Sequence, residues 1–131
     1  MMRVLLYENG RSQGVKRIRE RLESRFPHGF EPLDSIEGLV YRLRHDRNYH
    51  WIAVVAVSDL EDLSALLSIR EWLLDLRIIL ILPEIDRELT MSGHRLYPRY
   101  IAYGDGDLED VAAVLEKMLR LNELEDPSLG H

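Results

Sequence analysis

The sequence predicts a single α/β domain built on a doubly wound, five-stranded parallel sheet. Five short apolar runs each precede a segment with helical spacing, the alternation typical of this class. The third and fourth runs are apolar at every position, as strands covered by helices on both faces require. Connections long enough to hold a helix join parallel strands, so the sheet is expected to be parallel. The runs are Val4 to Tyr7, Phe30 to Leu33, Trp51 to Val57, Ile78 to Leu82 and Tyr100 to Tyr103.

The first three helices follow from apolar spacing and from capping residues. Residues 12–25 carry apolar side chains at helical spacing, and this helix is expected to stop before Pro27. Asp34 and Glu37 form a predicted capping pair for the second helix. Residues 58–74 begin with a capping-box pattern and continue as a long helix rich in leucine.

The remaining helices complete the predicted domain. Pro83 is expected to start a short fourth helix that ends near Gly93, and residues 108–124 form the predicted fifth helix. Residues 1–124 are therefore predicted to be one compact domain, with a flexible tail over residues 125–131.

Composition narrows the possible functions. The chain has no cysteine, which excludes disulfides and cysteine-bound metal, and no apolar stretch of the roughly 20 residues that a membrane span needs. A start without a signal-peptide pattern predicts a cytoplasmic protein with no membrane partner. The net charge of −6 argues against nucleic acid as a partner. The arginine-rich first helix offers an anion or RNA surface, but pairing with the acidic last helix is the favoured interpretation.

Ligands of open parallel sheets bind beyond the carboxyl ends of the strands, so the residues after each strand are the candidates for chemistry. They are Glu8, Asn9 and Gly10, then Ser58 and Asp59, then Pro83 and Glu84, and finally Gly104, Asp105 and Asp107.

The chain resembles the receiver domains of bacterial response regulators over Arg3 to about Leu121. The segment from Arg3 to Asn9 resembles the first strand of that family with its terminal acidic pair, residues 66–70 are similar to its third helix, and residues 107–111 resemble the start of its last helix. The resemblance implies a flavodoxin-like, CheY-like sheet of order 2-1-3-4-5. It also implies an acidic pair for Mg²⁺, a phosphoacceptor Asp after the third strand, a Thr or Ser after the fourth, and a Lys after the fifth.

The acidic positions of that pattern are incomplete in this chain. Glu8 retains one acid of the pair, but Asn9 replaces the other. The run from Trp51 to Val57 contains no carboxylate, and the segment before the next helix is shorter than in the family. Asp59 is the nearest acid, and its place in a capping box indicates a structural role.

The hydroxyl and the lysine are missing as well. Leu82 occupies the hydroxyl position, Tyr103 or Gly104 occupies the lysine position, and Lys16 and Lys117 both fall on predicted helices. Loss of both groups removes most of the stabilisation that phosphoryl transfer needs, so a degenerate pseudo-receiver without enzymatic activity is expected. The vestigial pocket comprises Glu8, Asn9, Ser58, Asp59, Leu82, Tyr103 and Gly104.

Metal binding is the competing interpretation of the same edge. Glu8, Asp59, Asp105 and Asp107 could converge there as oxygen ligands for Mg²⁺ or Ca²⁺. Acids at strand ends also arise as helix caps and turn residues, which is the favoured explanation. No dedicated cofactor is therefore predicted, and any Mg²⁺ bound through Glu8 and Asp59 is expected to bind weakly.

Three functions remain open. The favoured hypothesis is a non-catalytic, signalling-type module that binds another protein. The second is a receiver that can still be phosphorylated, on Asp59. The third is an enzyme or a domain that binds a small ligand or metal on a flavodoxin-like sheet, which a fold alone does not exclude.

The favoured hypothesis predicts an interface, most simply of a homodimer, on the fourth helix, fifth strand and fifth helix. The fifth helix carries a core stripe of Leu108, Val111, Ala112, Leu115 and Leu119 and a second apolar stripe beside it. Together the stripes exceed the width that a surface helix turns to its core. The alternative is that the C-terminal tail covers the second stripe. The predicted interface residues are Tyr97, Tyr100, Tyr103, Val114, Met118 and Leu121.

Overall fold

A computed structural model of the protein describes residues 2–10, 15–25, 30–45, 50–104 and 108–125. These residues form a parallel sheet of five strands in the order β2-β1-β3-β4-β5, which confirms the predicted fold class and strand order. Each predicted run coincides with a strand to within two residues at either end. The strands are β1 (Met2–Tyr7), β2 (Phe30–Leu33), β3 (His50–Ala56), β4 (Arg77–Leu82) and β5 (Tyr100–Tyr103).

Helices cover both faces of the sheet. Their bounds are α1 (Val15–Arg25), α2 (Ile36–His45), α3 (Leu60–Ser68), α4 (Arg70–Leu73), α5 (Arg87–Gly93), a 3-10 helix (His94–Leu96) and α6 (Leu108–Glu125). One apolar cluster joins a sheet face to α2, α3, α4 and α5, and the other joins the opposite face to α1 and α6. Successive residues of β3 alternate between the two clusters and are all buried where described. This explains why the run lacks an apolar and polar alternation.

Three helix boundaries differ from the predictions. Ser35, not Asp34, caps α2, because its Oγ accepts a hydrogen bond from the Gly38 N–H at 3.0 Å. The long leucine-rich helix breaks into α3 and α4 at Ile69, whose φ of −110° and ψ of 22° leave the helical range. The fourth predicted helix, α5, begins at Arg87 after an Asp86 cap, not at Pro83. The fifth predicted helix is α6.

Ion pairs between α1 and α6 confirm the predicted role of the basic first helix. Arg21 Nη2 lies 2.5 Å from Glu109 Oε1, and Arg25 Nη2 lies 2.5 Å from Glu116 Oε1. Both pairs are substantially exposed, so each contributes little to stability.

Helix α6 ends at Glu125, one residue past the predicted end of the domain, and the rest of the predicted tail lies outside the described residues. Among the described helices, none is long and apolar enough to cross a membrane.

Candidate functional site

The carboxyl edge of the sheet brings most of the vestigial pocket together. Glu8 and Asn9 follow β1, Ser58 and Asp59 follow the end of β3, and Gly104 follows β5. The predicted contributions of Asp105 and Asp107 lie outside the described residues.

Asn9 and Ser58 connect two neighbouring strand ends directly. Asn9 Nδ2 donates a hydrogen bond to Ser58 Oγ over 2.9 Å. Both side chains are uncharged, so the residue that the sequence analysis matched to the second acid of the receiver pattern makes a neutral hydrogen bond. The first strand end is therefore joined to the third by the protein itself.

Glu8 is turned toward its own loop. Its Oε2 accepts a hydrogen bond from the Gly10 N–H at 2.8 Å. Gly10 has a φ of 87°, a left-handed conformation that glycine adopts without the steric strain of a side chain. The carboxyl group thus stabilises the tight turn after β1.

The position directly after β3 is occupied by Val57. Its side chain is 2% exposed, and its N–H donates to Ile81 O at 2.9 Å, so the residue is fixed within the core. Only Ser58 and Asp59 separate Val57 from α3, which agrees with the predicted short loop. The residue directly after β3 is therefore a buried apolar side chain and not a carboxylate.

Asp59 caps α3. Its backbone is extended, and Oδ1 accepts a hydrogen bond from the Asp62 N–H at 2.8 Å. The capping pattern is displaced by one residue from the prediction, because the cap is Asp59 and not Ser58, and its partner is Asp62 and not Glu61. Capping by an aspartate typically contributes about 1 kcal/mol to helix stability.

The residues that the sequence analysis matched to the hydroxyl and lysine positions lie at the ends of β4 and β5. Leu82 is 0% exposed and packs in the apolar cluster of α3 and α5. Gly104 donates its N–H to Leu82 O at 2.8 Å. The Tyr103 hydroxyl lies 3.1 Å from Thr90 Oγ1 on α5, and the two lysines of the chain belong to α1 and α6.

The sequence analysis missed a buried carboxyl group beneath this edge. Asp62 is 4% exposed; its Oδ1 accepts a hydrogen bond from the Tyr7 hydroxyl at 2.8 Å, and its Oδ2 accepts one from the Ser58 N–H at 3.1 Å. Helical spacing offered a signal, because Asp62 is one turn before Leu66 and beside Leu63, both fully buried. The group anchors α3 to β1 and to the loop after β3.

Acidic side chains do not gather into a metal centre in the part of the chain that the structure describes. No group of three or more His, Cys, Asp or Glu residues there has an arrangement that could hold a metal ion. Glu8 and Asp59, the two described metal candidates, each have a backbone N–H bonded to the carboxyl group.

The six predicted interface residues differ in exposure. Tyr97 is 72% exposed and Leu121 is 44% exposed. The expectation that nothing in the monomer covers the second stripe of α6 is wrong for Val114 and Met118, which pack against the cluster of α1 and α6. Tyr100 contacts the same cluster, and Tyr103 contacts the other one.

No family model and no curated protein matches the chain. Among solved structures, the protein is similar to the signal receiver domain of a modulated diguanylate cyclase from Desulfovibrio desulfuricans G20, described as an example of alternate folding. The TM-score is 0.60 at 23% identity, over 94% of this chain and 97% of that one. A de novo designed Rossmann 2x3 protein also has a TM-score of 0.60, at 19% identity over 92% and 90% of the two chains. These likenesses establish the fold, which natural receivers share with a designed protein.

Proposed function

We propose that this protein is a non-catalytic, signalling-type interaction module with the fold of a receiver and without its phosphoacceptor chemistry. The observation that carries the proposal is Val57, a buried apolar residue at the position directly after β3. The similar receiver domain supports the signalling part of the proposal through its fold.

The neighbouring residues support the loss of chemistry. Phosphoryl transfer depends on cations and donors placed around the phosphate in advance. Leu82 has no hydrogen-bonding side chain, and the residue after β5 is a glycine. Asp59, the carboxyl group nearest to Val57 in the sequence, is engaged in capping α3. Because few carboxyl groups lie at this edge, we also propose that the dissociation constant for Mg²⁺ is about millimolar or weaker.

The first prediction is that the protein takes up no phosphoryl group from acetyl phosphate in the presence of Mg²⁺. Intact-mass spectrometry should show a single unmodified species, with an intact receiver domain treated in parallel as the positive control. Asp59→Asn is the matched variant. An adduct on wild type that disappears in Asp59→Asn would establish the alternative of a residually phosphorylatable receiver.

We further propose that the module binds a second copy of itself through α5, β5 and α6. On α6, Glu116 faces α1 through its ion pair with Arg25. Leu121 follows five residues later and lies about 140° from Glu116 around the helix. It is therefore turned away from α1, toward the open edge at β5, where the partly covered Val114, Met118 and Tyr100 also lie. Exposed apolar and aromatic side chains at a sheet edge are typical of interface cores.

The second prediction is that the protein is a dimer at tens of micromolar and that Leu121→Glu makes it a monomer, because the change places a charge in the buried contact. Light scattering after gel filtration measures the mass. Ala113→Glu, an exposed position on another side of α6, is the control and should leave the dimer intact. A wild-type chain that stays monomeric at high micromolar concentration would refute the homodimer.

A further inference from the structure

The segment that leads into β5 carries two arginines and no carboxylate, although the protein as a whole has a net charge of −6. Residues 89–104 include no Asp or Glu, whereas His94, Arg95 and Arg99 all fall in this segment and are exposed. Within the described part of the chain, neither of these arginines forms an ion pair with a carboxylate. In this they differ from Arg21 and Arg25 of α1, which are paired with carboxylates of α6.

Tyr97 lies between Arg95 and Arg99 in the sequence and has a strained backbone conformation. Its φ of 54° and ψ of 51° are left-handed, and no other non-glycine residue described has a positive φ. Glycine or asparagine usually fills such a position after a helix, and a residue before proline, here Pro98, usually has extended backbone. The ring is 72% exposed, so burial does little to offset the strain. Strained backbone conformations cluster at active sites, ligand contacts and switch regions.

From these two observations we propose that His94, Arg95, Tyr97 and Arg99 form a docking surface for an acidic peptide segment of a partner protein. Guanidinium groups pair with carboxylates through two parallel hydrogen bonds, and the two arginines flank the ring in sequence. An apolar side chain of the segment would pack on Tyr97, because exposed tyrosines commonly anchor interfaces.

Charge favours an acidic segment over nucleic acid. A nucleic-acid backbone needs a broad basic footprint, and the net charge of the chain is negative. A short acidic segment needs only the two arginines. A longer acidic segment would extend over the rest of the protein, whose negative charge would repel it. The inference rests on the proposed function, to which it adds the chemistry of a second partner. It assigns Tyr97, one of the six predicted interface residues, to this partner and not to the second copy.

The experiment selects a random dodecapeptide library on the full chain and measures the selected peptides by fluorescence anisotropy. Selected peptides should be enriched in Asp and Glu around one aliphatic or aromatic residue, and their affinity should fall as salt concentration rises. Arg95→Gln combined with Arg99→Gln should weaken binding on the order of tenfold. Arg17→Gln combined with Arg70→Gln removes the same charge from exposed positions elsewhere and should leave affinity nearly unchanged.

Tyr97→Gly separates binding from folding. This variant should also lose affinity on the order of tenfold, while its thermal midpoint should be equal to or above that of wild type because glycine relieves the strain. The proposal is overturned if selected peptides lack acidic enrichment, if the two double variants bind alike, or if single-stranded RNA binds this surface more tightly. It is also overturned if light scattering shows that Arg95 and Arg99 join two copies. Leu121→Glu tests the homodimer independently, so the two failures are distinguishable.

Discussion

Asp62→Ala is expected to lower the free energy of unfolding by about 3 kcal/mol, because the buried Tyr7 hydroxyl and the part-buried Ser58 N–H lose their shared acceptor. The Tyr7 hydroxyl and the Ser58 N–H both donate to this one carboxyl group. Each unsatisfied buried donor costs roughly 1–3 kcal/mol. The network also connects α3 to β1, so its loss should loosen the carboxyl edge of the sheet.

Chemical denaturation of wild type, Asp62→Ala, Tyr7→Phe and the double variant measures this coupling. The double variant should be more stable than the sum of the single changes implies, because the first substitution already removes the Tyr7 contact. Asp110→Ala, an exposed acid in the first turn of α6, is the control and should change stability by less than about 1 kcal/mol. An Asp62→Ala protein as stable as this control would show that the hydrogen bonds contribute nothing net.

Gly93→Ala is expected to destabilise the protein by about 2 kcal/mol through overpacking. Gly93 is buried where α5 meets β4, and a Cβ there would stand 2.7 Å from Leu80 Cδ2. Leu80 is fully buried, so its side chain has little room to move away. The missing side chain of Gly93 thus permits the close approach of helix and strand.

A compensating substitution tests that explanation. Leu80→Val removes the methyl group that the new Cβ would meet, and on its own it should cost about 1 kcal/mol. Gly93→Ala in the Leu80→Val background should then cost clearly less than in wild type. Equal costs in the two backgrounds would place the origin of the destabilisation elsewhere than in this contact.

The fold was predictable because its strongest signals are local. Trp51 to Val57 is apolar at every position, and in the structure this segment is buried from both faces. The break at Ile69 was not predictable from the spacing of leucines. Leucine favours helix on either side of the break. The structure shows that both parts pack on the sheet, because Leu66 of α3 and Leu73 of α4 belong to one apolar cluster.

The residues of the candidate site that follow strands were predictable, and the buried carboxyl group below them was not. Positions after each strand follow from the parallel topology, which placed Glu8, Asn9, Ser58 and Asp59 correctly. The burial of Asp62 depends on Tyr7, 55 residues earlier in the chain, so its role required a tertiary contact that no local pattern encodes. The left-handed backbone of Tyr97 was not predictable either, because a residue before proline ordinarily has extended backbone.

The two edge strands of the sheet differ in their capacity to accept another strand. In β2, Leu33 O bonds to the Glu8 N–H, so by alternation Pro32 faces outward, where an added strand would need an N–H that proline lacks. Strand β5 contains neither proline nor a charged residue. Of the two described edges of the sheet, only the one at β5 is thus suited to pair with an added strand. Two copies that paired at β5 would present only proline-blocked edges, and growth into a fibre by this route would end there.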